Sequence, residues 1–150
     1  MPKVFINYPQ GTFSEEALAN LAEEITTTGL ECEKLPDTAY VRSNIWVYAK
    51  EYPAGAVYHG GKPCGTKVVS LEVNVVEGAL SADARKDLIA RFTSIVGKYA
   101  GIPPQERAPV YIVIRDVPRT AGGCLVSRSL LSLCAIRRSM QSRCNLEPEM

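Results

Sequence analysis

Gly11-Thr12-Phe13-Ser14 returns as Gly78-Ala79-Leu80-Ser81, and the offset of 67 residues carries well beyond these positions. Ala17, Leu21, Thr26, Pro36, Ala54 and Gly55 meet Ala84, Leu88, Thr93, Pro103, Ala121 and Gly122 at the same spacing. A fixed period of this length marks one supersecondary unit written twice. Upstream of Ser14, the apolar run Val4-Phe5-Ile6 reads as a buried strand over Lys3 to Tyr8, ended by Pro9, which cannot donate to a ladder. Downstream, a helix opens. The Ser14 hydroxyl can accept a first-turn amide, Glu15 and Glu16 suit the positive end of the dipole, and Ala17, Leu18, Leu21, Ala22 and Ile25 form an apolar stripe until Gly29. A return strand is expected over Val41 to Tyr48.

The second copy repeats the pattern. Val68 to Val76 reads as its first strand and Ser81 as its cap, with Asp83 in the first turn. Leu88, Ile89, Phe92, Ile95 and Val96 form its stripe up to Gly101, and Val110 to Arg115 is the closing strand. Each copy is therefore a βαβ unit, because parallel strands need a crossover and the helix supplies it. Two fused units predict an α+β fold: a four-stranded sheet with both helices on one face. The other face is expected to carry Val69, Leu71, Val73, Ile112 and Ile114, a patch that monomers rarely leave in water, so oligomerisation is predicted. Gly60, Gly61, Pro63 and Gly65 break regular structure between the copies, from Tyr58 to Lys67.

The expected domain covers residues 1–123, with halves at about 2–57 and 68–123, followed by a divergent tail at 124–150. That tail sets Arg128, Arg137, Arg138 and Arg143 among Leu130, Leu131, Leu133, Cys134 and Ile136. It reads as an amphipathic helix laid on a neighbouring subunit, with a membrane-surface helix or a disordered end as alternatives.

Composition narrows the function classes. A chain of 150 residues that is 46% hydrophobic can bury one core. Lys+Arg 17 against Asp+Glu 16 leaves a net charge of +1, scattered along the chain, which argues against nucleic-acid or anionic-membrane partners. Asn7 and Pro9 interrupt the first apolar run before a signal peptide could form, and no stretch approaches the roughly 18 apolar residues of a membrane span, so a cytoplasmic protein is expected. Cys32, Cys64, Cys124, Cys134 and Cys144 are odd in number and hold no CxxC pair, which suits reduced thiols. His59 is the only histidine, so a multi-histidine metal centre is excluded. Within Val57-Tyr58-His59-Gly60-Gly61, with no G-x-S-x-G elbow in the chain, it reads as a solvent-facing turn residue. No metal and no cofactor are expected.

A chain that begins Met-Pro and duplicates a βαβ with a Ser-capped helix resembles the tautomerase superfamily, whose founding member is 4-oxalocrotonate tautomerase (4-OT). Its fused cis-3-chloroacrylic acid dehalogenase group is the nearer match. The residues that carry the resemblance are Pro2 to Ser14, the turn Glu51-Tyr52-Pro53-Ala54-Gly55-Ala56-Val57-Tyr58-His59-Gly60-Gly61, and Val76-Glu77-Gly78-Ala79-Leu80-Ser81-Ala82-Asp83. It spans about Pro2 to Gly123. Several positions depart from the group's pattern. Gly29 stands where the group has an activating histidine, Val76 and Ala79 where two arginines grip the substrate carboxylate, Val113 in place of a tyrosine, and about Cys124 in place of a water-activating glutamate. Thr12 replaces the arginine that follows the first strand of 4-OT. These losses argue against hydrolytic dehalogenation.

Pro2 is kept. An initiator Met before a small residue such as Pro is normally removed, leaving a free secondary amine. An α-amino group titrates near 7.7 to 8.0, and apolar surroundings disfavour its charged form, so the nitrogen can serve as a neutral base. The resemblance implies an isomerase: keto–enol tautomerisation of a small 2-oxo acid such as phenylenolpyruvate, with Pro2 moving the proton, in a homotrimer whose ligand is a small carboxylate. Arg115, Arg119 and Tyr111, after or on the last strand, are the candidate substrate anchors, against their plainer reading as a solvated arginine pair and a half-buried tyrosine. The rival functions are a non-catalytic relative on the same scaffold and a hydratase or dehalogenase-like lyase acting on a small unsaturated acid.

Overall fold

The structure, a computed structural model, describes residues 2–63 and 68–121. All but the last two of these lie in the unit that ends at Arg119. The elements run β1 (Lys3–Pro9), α1 (Glu15–Cys32), α2 (Ala39–Arg42), β2 (Trp46–Tyr52), a 3-10 turn (Ala54–Ala56), β3 (Tyr58–His59), β4 (Lys62–Pro63), β5 (Val69–Val76), α3 (Ala82–Tyr99) and β6 (Val110–Val117). The predicted tail at 124–150 and the thiols other than Cys32 lie outside the described residues.

The duplication is visible in local chemistry. Ser14 and Ser81 cap α1 and α3 alike, each accepting the amide of the residue three positions on, from Ala17 at 3.1 Å and Ala84 at 3.2 Å. Gly11 and Gly78, the first residues of the repeated tetrapeptide, both adopt positive φ, at 80° and 79°. A side chain there would be strained, so glycine opens each turn from strand to helix. Between the copies, β3 and β4 form a small hairpin whose turn is Gly60-Gly61, both with positive φ, as a two-residue hairpin turn demands.

The main sheet has four strands in the order β2-β1-β5-β6. β1 and β5 are antiparallel at its centre, with Ile6 opposite Leu71 and Val4 opposite Val73. β2 and β6 run parallel to β1 and β5 respectively. Val4, Ile6 and Tyr8, then Val69, Leu71, Val73 and Val75, pack beneath Leu21 and Ile25 of α1 and Leu88, Phe92, Ile95 and Val96 of α3. Above that core the helices are tied by polar contacts. Arg91 of α3 reaches Thr28 and Glu31 of α1, and Lys98 reaches Glu24 at 2.8 Å.

Two sequence expectations are corrected here. The residues expected on the open face, Val69, Leu71, Val73, Ile112 and Ile114, all face the helices; the first three are 0% exposed. With a two-residue period, the opposite parity is what the helices leave uncovered. That face carries Phe5, Trp46, Tyr48 and Tyr52 on one half and Ser70, Glu72, Asn74, Tyr111, Val113 and Arg115 on the other. Phe5 stacks on Tyr48 with centroids 5.0 Å apart, and the Lys3 ammonium sits 4.3 Å from the Trp46 ring. The first return strand begins at Trp46 rather than Val41, because the Thr38 hydroxyl accepts the Val41 amide and starts a helical turn instead.

Candidate active site

Pro2 is buried, one residue ahead of β1. That strand is paired on both sides, with Lys3 opposite Trp46 and Asn74. Extending the register by one residue sets Pro2 beside Ile45 and Val75, which are 8% and 1% exposed. Parity turns its ring to the helix-facing side, with Val4 and Ile6. There α1 closes on it: a β-carbon at Gly29 would lie 3.3 Å from Pro2 Cγ. Toward β2, the neighbourhood is a small apolar cluster of Leu30, Val41 and Ile45, with Leu35 packed against it. Such surroundings disfavour a charged amine.

Cys32, the last residue of α1, is buried at the same end of the sheet. Burial is the main cause of its raised thiol pKa, and the Asp87 carboxylate, 3.6 Å from its sulfur, pushes the same way. The thiol therefore stays protonated at neutral pH and is a poor nucleophile.

The predicted anchors separate. Arg115 stands level with Lys3, next to Pro2's row, but on the open face, where it pairs with Glu72 at 3.3 Å. Tyr111 is also on the open face and level with Asn7, at the far end of β1. Neither faces the Pro2 of its own protomer, so any role at that residue would have to come from a second copy. Arg119 is exposed, just past the end of β6 and at Pro2's end of the sheet.

One cation at that end was not singled out from sequence. Pro2's row continues through Val75 to Asp116, whose carboxylate receives two hydrogen bonds from Arg85 Nη2, at 2.7 and 3.0 Å. Asp116 shares the parity of Ile112 and Ile114, so this pair lies on Pro2's face, two strands away, or about 10 Å between α-carbons. Nε and Nη1 of Arg85 have no partner among the described residues. The available signal was the parity of Asp116 with Ile112 and Ile114, unusable until the covered face was known.

His59 is exposed on β3. A concavity of about 330 Å³ near it is lined by His59, Val68, Arg107, Pro109 and Tyr111. It lies at the opposite end of the sheet, the second repeat's counterpart of Pro2's position, where the offset of 67 puts Val69. It contains no second proline base. Among the described residues no three His, Cys, Asp or Glu side chains converge on a metal-sized site, and no helix is long and apolar enough to cross a membrane.

No family model and no curated protein matches the sequence. Solved structures do match the fold. A native fused 4-OT aligns with a TM-score of 0.71 at 18% identity, covering 87% of this chain and 98% of that one. A member of the cis-3-chloroacrylic acid dehalogenase family aligns with a TM-score of 0.71 at 18% identity, over 94% and 96% of the two chains. The chain has the fused tautomerase fold. A further fused 4-OT, described as an asymmetric trimer, gives 0.69 at 21% identity over 85% and 98%. On the tautomerase scaffold the departures read from the sequence become places: Gly29 is the residue touching Pro2, Val76 ends β5, and Val113 is on the open face, while Cys124 lies outside the described residues.

Proposed function

We propose that the protein is a small-acid tautomerase of the cytoplasm in which Pro2, freed by removal of Met1, is the general base and acid. The observation that carries the reading is the burial of Pro2 at the head of a central strand, among Gly29, Ile45 and Val75. A neutral secondary amine accepts the enol hydroxyl proton, and the resulting ammonium returns a proton to the substrate carbon. The product is the keto isomer, so atoms balance without a cofactor, oxidant or water. Burial lowers the amine pKa from about 8, which keeps the base form populated at neutral pH.

Arg85 and Arg119 supply the positive charge at this end of the sheet for the substrate carboxylate; Arg85 is pre-oriented by Asp116 and has nitrogens to spare. Arg85→Gln is expected to raise KM for a 2-oxo acid about 10-fold, as loss of a charged hydrogen bond entails, and to leave KM for the corresponding methyl ester unchanged. An equal rise for both substrates would remove Arg85 from this role. The assembly we propose is a homotrimer. The open face supports it, with Phe5 38%, Trp46 43%, Tyr48 48% and Tyr111 67% exposed, as do the fused 4-OT relatives described as trimers.

The test is the pH dependence of kcat/KM for a phenylpyruvate-type enol. The amine works deprotonated, so the rate should fall as pH drops through its pKa, below about 8, and level off above it. A profile flat from pH 5 to pH 9 would remove Pro2 as the base, and a rate no higher than that of the uncatalysed reaction would favour the non-catalytic scaffold, a reading that the apolar replacements Gly29, Val76, Ala79 and Val113 also fit.

A further inference from the structure

Gly29 lies in the last turn of α1, in helical backbone where glycine destabilises a helix by up to about 1 kcal/mol relative to alanine. It is neither a turn nor a cap, and only Gly11, Gly60, Gly61, Gly78 and Gly101 among the described glycines have positive φ, so backbone conformation does not explain it. What stands against it is the pyrrolidine ring, with Pro2 Cγ 3.3 Å from where a β-carbon would be. Gly97, buried in α3 one residue past Val96, which the offset of 67 pairs with Gly29, makes a useful contrast, because a β-carbon there would meet Ala108 Cβ at an ordinary 3.6 Å.

We infer that Gly29 is a positioning residue for Pro2: the bare helix backbone is the seat that fixes the pyrrolidine ring and keeps its nitrogen in apolar surroundings. The inference rests on the reading of Pro2 as the base. A methyl group at residue 29 would push the ring by a few tenths of an ångström away from α1 and loosen the apolar packing around its nitrogen. Both consequences are measurable. Misplacing a reacting group by 1 Å can cost about 100-fold, so a smaller shift should cost about 3- to 10-fold in kcat, with KM little changed. Better hydration of the ammonium should also raise the amine pKa and move the acid limb of the kcat/KM profile to higher pH.

The experiment is a cycle on the full chain, comparing Gly29→Ala with Pro2 intact and in a Pro2→Gly background, where an α-amine remains but no ring is present to collide. With Pro2 intact, Gly29→Ala should lower kcat, shift the acid limb upward and fail to raise Tm. In Pro2→Gly, the same change should add no further loss of rate and should raise Tm, as the helix gains alanine and nothing opposes it. Gly97→Ala, the control, should leave the limb in place. A fall in rate uniform across pH, or Tm changes equal in the two backgrounds, would overturn the inference. If Gly29→Ala does not fold, the doubly substituted chain decides: its folding supports the seat, and its failure to fold refutes it. Full activity in Pro2→Gly alone, whose α-amine remains, would show that the rate does not need the ring to be held; that overturns the inference and leaves the base reading to the pH profile.

Discussion

Phe92→Ala is expected to lower unfolding stability by about 3 to 5 kcal/mol, the range for truncating a buried aromatic when the surroundings relax only partly. Phe92 is 0% exposed and lies in the middle of α3, within the cluster that joins both helices to β1 and β5. Native stability of a domain this size is itself about 5 to 15 kcal/mol, so the variant should sit close to its unfolding threshold at 37 °C. Three residues earlier on the same helix, Ile89 is 40% exposed, and Ile89→Ala should fall within about 0.5 kcal/mol of the parent, as surface changes usually do. Urea denaturation measures both. A Phe92 loss below about 1 kcal/mol would mean that α3 does not rest on the sheet through this ring. If the protein is a trimer, the measurement must be made at fixed protomer concentration, because association contributes to apparent stability.

The reason these two positions differ so much was partly legible in the chain. Helical spacing put Leu88, Ile89, Phe92, Ile95 and Val96 on one stripe, and the wheel alone does not say that Ile89 lies at its exposed margin. The same ambiguity affected the strands. In Val69-Ser70-Leu71-Glu72-Val73-Asn74-Val75 the alternation identifies a dry face and a wet one, yet which of them the helices cover depends on packing partners far away in sequence. Because α1 and α3 are both amphipathic, they take the drier parity, and the open face inherits the aromatic residues of β1 and β2 instead of the valines of β5. That choice also sent Arg115 and Tyr111 to the open face and left Asp116, with Arg85, on Pro2's side. Thr38 is a smaller instance: its hydroxyl caps a short helix inside a stretch whose apolar residues read as strand. The repeat, by contrast, needed no partner information. Ser14 and Ser81 cap their own helices, and Gly11 and Gly78 set their own turns, so these elements were readable locally.

The other large effect concerns one nitrogen, and it separates two kinds of loss. Pro2→Ala keeps an α-amine at the start of the chain but removes the ring that Gly29 holds, so the base survives with its position unfixed. General-base contributions run to about 10²–10⁴-fold, and a mobile primary amine should forfeit a large part of that range without reaching its end. Inserting a lysine between Met1 and Pro2 does the reverse. A large second residue prevents removal of Met1, so Pro2 keeps its ring and its seat, while its nitrogen becomes a tertiary amide with no basicity. This insertion should cost the full contribution, more than Pro2→Ala, with the fold and its denaturation midpoint intact. Intact mass confirms which N-terminus each protein carries, and steady-state rates on the same enol give the order. Should the insertion turn over substrate as fast as the parent, proton transfer at Pro2 is ruled out whatever Pro2→Ala does, because an acylated nitrogen has no basic lone pair. Should Pro2→Ala prove the slower of the two, the ring matters through packing more than through its nitrogen, and the base must be sought among the side chains at this end of the sheet.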